Sequence, residues 1–307
     1  MTSSSLALPL PAPRSLLRHP LVERYAPVVT MVLALMVIWY MAAVAMNWNL
    51  VRDGFEREET PYTVTDVLAG TMSAERPLLP APHQIVSTFV DGVFGYPPLA
   101  PRSLVFHSLV TLSATLIGFL LGAVFGTLLA LMIVHSRVLE RSLLPWIICS
   151  QMVPIVALAP IFIVVLGAIG LTGLLPKSLI SAYLCFFPVT IGMVKGFTSP
   201  DPLQLELMQT WSATPRQVLF KLRWPSAVPY LFASLKVAIT ISLIGAIVAE
   251  LPTGAEAGIG ARLLAGSYYG PTVQLWAALV AAAVLSSGLI GIVSLIERGV
   301  NRRMGAH

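Results

Sequence analysis

The apolar residues of this chain fall in long uncharged runs, not in the short alternating patterns of a soluble domain. Val28 to Trp48 holds no charge, Leu104 to Val134 holds only His107 as a titratable group, and Ser142 to Pro176 holds none. Ser178 to Val194 follows between Lys177 and Lys195, then Tyr230 to Ala249 interrupted by Lys236, and finally Val273 to Ile296. A helix needs about 20 apolar residues to cross about 30 Å of hydrocarbon, and there it satisfies its own backbone hydrogen bonds. Six crossings are expected, the long third run crossing over Pro145 to Ala168. The short fourth run is expected to stand nearly upright or to have its flanking lysines snorkel. An even number of crossings puts both termini on one side.

The connecting segments carry their own patterns. Asn49 to Ser103 is rich in Pro, Gly and acids, and within it His83 to Phe94 places Ile85, Val86, Phe89, Val90 and Val93 at helical spacing. This suits an amphipathic helix on the outer interface. In Ser199 to Pro229, Ser199-Pro200 reads as an N-cap with proline in the first turn, and Leu203, Leu207, Met208 and Trp211 follow at helical spacing. Thr214, Pro215 and Gln217 form a second start signal, a capping box. Two short helices are expected to meet at Ser212 and Ala213, the second stopping near Pro225, with Pro229 opening the fifth span. The apolar face of this segment needs cover, from the inner ends of the bundle or from another protein.

Composition agrees with a lipid setting. With 56% hydrophobic residues, 11% charged residues and a mean hydropathy of +0.83, the 307 residues have too little polar surface to cover a globule. An all-α membrane protein follows. The net charge of +5 is scattered along the membrane flanks, which points to anionic lipid and away from nucleic acid. Arg14, Arg18, Arg24, Arg137, Arg141, Lys195, Arg216, Lys221, Arg223, Arg298, Arg302 and Arg303 fall on the side of the termini. Half as many, Arg52, Arg57, Arg76, Arg102, Lys177 and Arg262, fall on the other. By the positive-inside rule both termini are cytoplasmic. Residues 1–26 read as a disordered cytoplasmic tail, 27–103 as the first span and external loop, and 301–307 as a C-terminal tail.

Candidate chemistry is sparse. No GxxxxGK[ST], HExxH or GxSxG is present, no metal site is expected, and His19, His83, His107, His135 and His307 read as interfacial or loop residues. Cys149 and Cys185 read as buried thiols in apolar helices. Gly118, Gly122 and Gly126 line one helical face and suit close helix packing. Pro154, Pro160 and Pro188 kink their spans, consistent either with a pathway or with plain packing. Ser150, Gln151 and Met152 before Pro154, with Glu250 at the end of the fifth span, are the candidate pathway residues. An acid at the rim of an apolar helix faces a cavity, a partner or water, and Lys236 is expected to snorkel. An ion-gradient-driven secondary transporter remains the alternative at this point, although neither paired halves nor buried relays are evident.

The segment 199–229 resembles the cytoplasmic docking loop of ABC importer permeases, whose pattern is Glu-Ala-Ala, a following Gly, then Leu-Pro. Glu206-Leu207-Met208 stands at the triplet, Ser212 at the glycine and Trp224-Pro225 at the pair. Six ordered blocks extend the resemblance: Leu79 to Val86, Ser108 to Leu131, Met152 to Pro160, Phe186 to Gly196, Ala227 to Ala238, and Ile247 to Glu250 with Gly258 to Leu263. Together they are similar to permeases of the nitrate, taurine and sulfonate importer family. The long first outer loop and Pro252 to Gly254 are less usual for it. The resemblance implies a six-helix type I importer transmembrane domain over residues 104–300, in a bacterial inner membrane, with a two-helix coupling loop. It further implies a second permease copy, an ATPase dimer and an external binding protein, periplasmic or lipid-anchored. ATP and Mg would be bound by the ATPase and no cofactor by this chain. Docking would fall to Glu206, Ser212, Ala213, Thr214, Gln217, Leu222 and Pro225. Cargo would be a sulfonate, nitrate or a small nitrogen-containing organic solute.

Overall fold

The computed structural model describes residues 20–252 and 257–304, with side chains from Tyr25 onward. Most of the N-terminal tail, the last three residues of the C-terminal one, and Thr253 and Gly254 lie outside the described residues. Twelve α-helices are described, and the chain divides into two compact units, residues 1–74 and 75–307.

In the first unit, α1 (Pro20–Arg57) does not end at Trp48 but continues through a polar turn. Arg52 pairs with Asp53 at 3.2 Å and with Glu56 at 3.3 Å, so the charged end helps hold itself helical. The segment Val28 to Ile38 is exposed all round, as a helix bathed in lipid would be. A second helix, α2 (Val64–Ser73), was not foreseen. Its start is a capping box, Thr63 with Asp66, which also holds the Asp66 carboxyl below its ordinary range.

The second unit is organised by α4 (Leu104–His135), α7 (Leu174–Phe197) and α10 (Trp224–Glu250). Gly118 meets Ser178 and Ser181, Gly122 meets Ala182 and Cys185, and Gly126 meets Phe186 and Val189. A Cβ on Gly122 would lie 2.8 Å from the Ala182 carbonyl, so the two backbones touch. Because both numbers rise together, α4 and α7 run parallel. α10 runs antiparallel to both, Gly196 meeting Ala227, Ser181 donating to the Ser242 carbonyl at 2.9 Å, and Ser242 to that of Thr115 at 2.9 Å. α12 (Thr272–Met304) closes the group, with Val228, Phe232 and Ile239 clustered on Leu289 and Val293. Here Lys236 does not snorkel. It pairs with Glu297 at 2.5 Å, an exchange of lipid for an ion pair that joins α10 to α12.

Among the described residues, five helices are long and apolar enough to cross a membrane: Tyr25–Arg57, α4, α7, Pro215–Glu250 and α12. The expected single crossing Pro145 to Ala168 is instead two helices, α5 (Arg137–Ser150) and α6 (Ile155–Ala168), bent by 96°. Pro154 explains the break, since it has no N–H to donate and biases Val153 away from helical backbone. The parallel pairing of α4 and α7 gives this broken pair a topological duty. Between them the chain must return from one end of the bundle to the other, so α5 and α6 together form the sixth crossing. The Tyr183 hydroxyl donates to the Ser150 carbonyl, fastening the break to the middle of α7.

α3 (Pro82–Phe94) covers the expected amphipathic stretch. Phe89 and Val93 pack on Leu104, Ile259 and Ala277, while Val86, Val90 and Phe94 stay exposed.

Candidate functional site

One candidate site sits where α7 ends and α10 begins. The N-cap of α8 (Pro202–Thr210) is Asp201, not Ser199, because the Asp201 carboxylate accepts from the Leu203 N–H at 2.8 Å. Ser199 instead bonds back to the Gly196 carbonyl, capping the end of α7. α8 stops in a left-handed turn. The Ala213 N–H donates to the Met208 carbonyl at 2.9 Å and the Ser212 N–H to that of Gln209 at 2.8 Å, a Schellman pair. Its left-handed position is Ser212, with φ of +53°. That conformation favours glycine, which gives a physical reason for glycine at this place in the docking-loop pattern.

Beyond the turn, Thr214 and Gln217 cap each other, at 3.3 Å and 2.8 Å, and open α9 (Pro215–Val218). The expected stop near Pro225 does not occur. A π turn over Leu219–Arg223 joins α9 to α10, and the Trp224 N–H reaches the Leu219 carbonyl. The shift of register there absorbs the donor that Pro225 lacks, and Ser226 donates to the Leu222 carbonyl at 2.8 Å. Pro215–Glu250 is therefore one unbroken helix of 36 residues.

The seven docking candidates divide by what they touch. Ala213 lines a groove of about 320 Å³ together with Leu131, Val134, Val218 and Leu219 of the same chain. Leu222 and Pro225 are half-buried. Thr214 and Gln217 are engaged with each other, whereas Glu206 and Ser212 are exposed. No ion pair joins Glu206 to Arg216 or Arg223 among the described residues. The apolar strip is also left open: Leu203 is 76%, Leu207 52% and Trp211 74% exposed.

The pathway candidates are not brought together. Ser150, Gln151, Met152 and Pro154 form the α5–α6 break, where Met152 is exposed. Glu250 is fully buried at the opposite end of the bundle from the α8–α9 loop. There, three successive amides at the start of α11 (Ile259–Tyr268) are captured by buried side chains. The Gly258 N–H donates to His107 Nδ1 at 3.0 Å, the Ile259 N–H to Thr111 Oγ1 at 2.8 Å, and the Gly260 N–H to Glu250 Oε2 at 2.8 Å. Thr111 in turn donates to the Glu250 carboxylate at 3.0 Å, and Lys177 lies 3.9 Å from it. A Cβ on Gly258, whose φ is +128°, would run into that carboxylate. His107 is thus buried in the first turn of α4 and not in a loop. The His107 Nε2–H donates to the Pro101 carbonyl at 2.9 Å, which leaves Nδ1 to accept. Lys177 likewise turns inward instead of snorkelling. Two sequence blocks, the one ending at Glu250 and the one opening at Gly258, are the two halves of this clasp.

A family profile described as the binding-protein-dependent transport system inner membrane component matches residues 118–306, more than half of the chain. The chain belongs to that family. The permease is 34% identical over 209 residues to the formylaminopyrimidine transport permease protein ThiX of Halalkalibacterium halodurans, covering 67% of this chain and 78% of that one. It is 31% identical over 221 residues to the riboflavin transport system permease protein RibX of Chloroflexus aurantiacus, covering 72% and 78%. Its fold matches a chain of the MetNI methionine ABC transporter in an inward-facing conformation, with a TM-score of 0.55 at 19% identity, over 64% of this chain and 95% of that one. It is accordingly a multi-pass permease of ABC importer type.

Proposed function

We propose that this permease is driven by an ATPase dimer that docks on the α8–α9 loop, and that it passes a small nitrogen-containing organic solute delivered by an external binding protein. The observation that carries the docking is the open strip of Leu203, Leu207 and Trp211 on a loop stiffened by a cap at Asp201, a Schellman turn at Ser212 and a capping box at Thr214. Exposed apolar surface next to rigid, polar-capped backbone fits a protein partner. Glu206 and Ser212 face outward beside the strip; Ala213, Thr214, Gln217, Leu222 and Pro225 hold the loop's shape. ATP and Mg belong to that partner. Two copies of the permease pair on the ATPase dimer, and the excess of Lys and Arg on the loop side supports a cytoplasmic loop with both termini on that side.

Cargo is read from the two relatives named for a formylaminopyrimidine and for riboflavin, both nitrogen heterocycles. Thermal shift of the cognate binding protein against a panel of pyrimidines, flavins, sulfonates and nitrate tests this, and retention of a sulfonate or nitrate alone would refute it. For docking, Trp211→Glu should insert normally yet lose ATP-dependent uptake in proteoliposomes and release the ATPase on gel filtration. Uptake driven by an ion gradient without ATP would instead establish a secondary transporter.

A further inference from the structure

At the clasp end of the bundle lies a cavity of about 390 Å³ whose polar lining comes from Thr88, Asp91, Tyr96, Arg102, Arg262 and Gln274. Two guanidinium groups share it, and among the described residues no carboxylate oxygen lies within 4.0 Å of either. Arg262 is held from one side only, its Nη2 donating to the carbonyls of Pro101 at 3.3 Å and Arg102 at 2.8 Å. Its Nε is buried and meets no acceptor. Burial lowers the Arg262 pKa, and nearby Arg102 lowers it too, against a raising influence from Tyr96. Arg102 is exposed and Arg262 half-buried, and two like charges lining one space favour an anion within it. Asp91 offsets one of the two charges, so the lining is left with one positive charge to balance.

Leu104, in the first turn of α4, and Ala277, in the second turn of α12, also line the cavity, which sets it near the boundary of the apolar spans. Alongside, α3 exposes Val90 and Phe94, at 43% and 80%. We infer that this cavity receives a monoanionic phosphate group, held by Arg102 and Arg262 with the Thr88, Tyr96 and Gln274 side chains completing its hydrogen bonds. A planar guanidinium matches phosphate oxygens in pairs, and a phospholipid so held lays its acyl chains along Val90 and Phe94.

The test uses the full-length chain in detergent, with phosphatidylglycerol, phosphatidylcholine or sodium phosphate added. Lipid retention is read by native mass spectrometry and stability by thermal unfolding. Phosphatidylglycerol is expected to be retained and to raise the midpoint more than phosphatidylcholine. Arg102→Gln should weaken that binding by roughly tenfold, the scale of one charge-assisted hydrogen bond. Arg262→Gln also removes the contacts to the Pro101 and Arg102 carbonyls, so Arg102→Gln, whose side chain makes no such contact, is the deciding variant. Stabilisation by sodium phosphate alone, lost in Arg102→Gln, supports the site with a free anion as its source. Equal effects of the two lipids with none from phosphate, or binding unchanged in Arg102→Gln, overturns the inference.

Discussion

Ser212 offers the sharpest test of the turn that shapes the proposed docking loop. Its φ of +53° places an L-residue in the left-handed region, at a cost of about 1–2 kcal/mol. Glycine relieves that cost but gains freedom in the open turn worth about 0.5–1 kcal/mol. Ser212→Gly should therefore favour the closed turn by about 0.5–1 kcal/mol, and Ser212→Val, with a branched Cβ, should disfavour it by a further 1–2 kcal/mol, roughly. The closed turn protects the Ser212 and Ala213 amides, which donate to Gln209 and Met208. Hydrogen exchange read by mass spectrometry over 208–214 should slow about two- to fivefold in the glycine variant and quicken about five- to thirtyfold in the valine one. ATP-dependent uptake should follow the same order, with glycine at or above wild type. Faster exchange in Ser212→Gly, or indifference to valine, would refute the account of this turn.

Two further predictions concern the bundle. Lys236→Leu strands Glu297 against lipid and should cost about 2–3 kcal/mol, while adding Glu297→Leu should recover most of it; unfolding of the two singles and the double in detergent measures this coupling. Glu250→Ala leaves the Gly260 N–H and the Thr111 hydroxyl without their acceptor and should cost about 2–3 kcal/mol. Because Glu250 is enclosed, the surviving protein should keep its wild-type concentration dependence on loaded binding protein, and a selective rise in that value would restore Glu250 to the pathway.

How much of this was legible in the sequence depended on how local the cause was. The uncharged runs, the amphipathic stretch after Pro82 and the Thr214–Gln217 box could be read directly, because each is decided within a few residues. The Thr63–Asp66 box of α2 was equally local and simply passed over. The break at Pro154 was signalled by the proline, but hydropathy alone cannot tell a straight crossing from a bent pair. The clasp was beyond reach: Thr111 and Glu250 are 139 residues apart, and an acid at a helix end looks the same whether water or Gly260 meets it. Lys236 misled for the same reason, since its partner lies on another helix. The continuity of α9 into α10 was hidden because proline ends a helix in sequence unless a π turn shifts the register ahead of it.

That continuity decides how work done at the loop would travel. The helix Pro215–Glu250, about 54 Å long at about 1.5 Å per residue, has the proposed docking loop at one end and the Glu250 clasp at the other. A rigid rod passes a tilt at one end to the other, whereas a hinge in it would dissipate the motion locally. The π turn is the weakest stretch, and Phe220 and Lys221 within it are exposed, so they can be altered without disturbing the core. Replacing both by glycine should soften the rod by about 2 kcal/mol while leaving Leu203, Leu207 and Trp211 in place. The expected phenotype is a permease that still binds its ATPase and permits hydrolysis but imports far less per ATP. If uptake per ATP stays at the wild-type value in Phe220→Gly/Lys221→Gly, α10 is not the element that carries the motion, and the α5–α6 break, fastened to α7 through Tyr183, becomes the part to test.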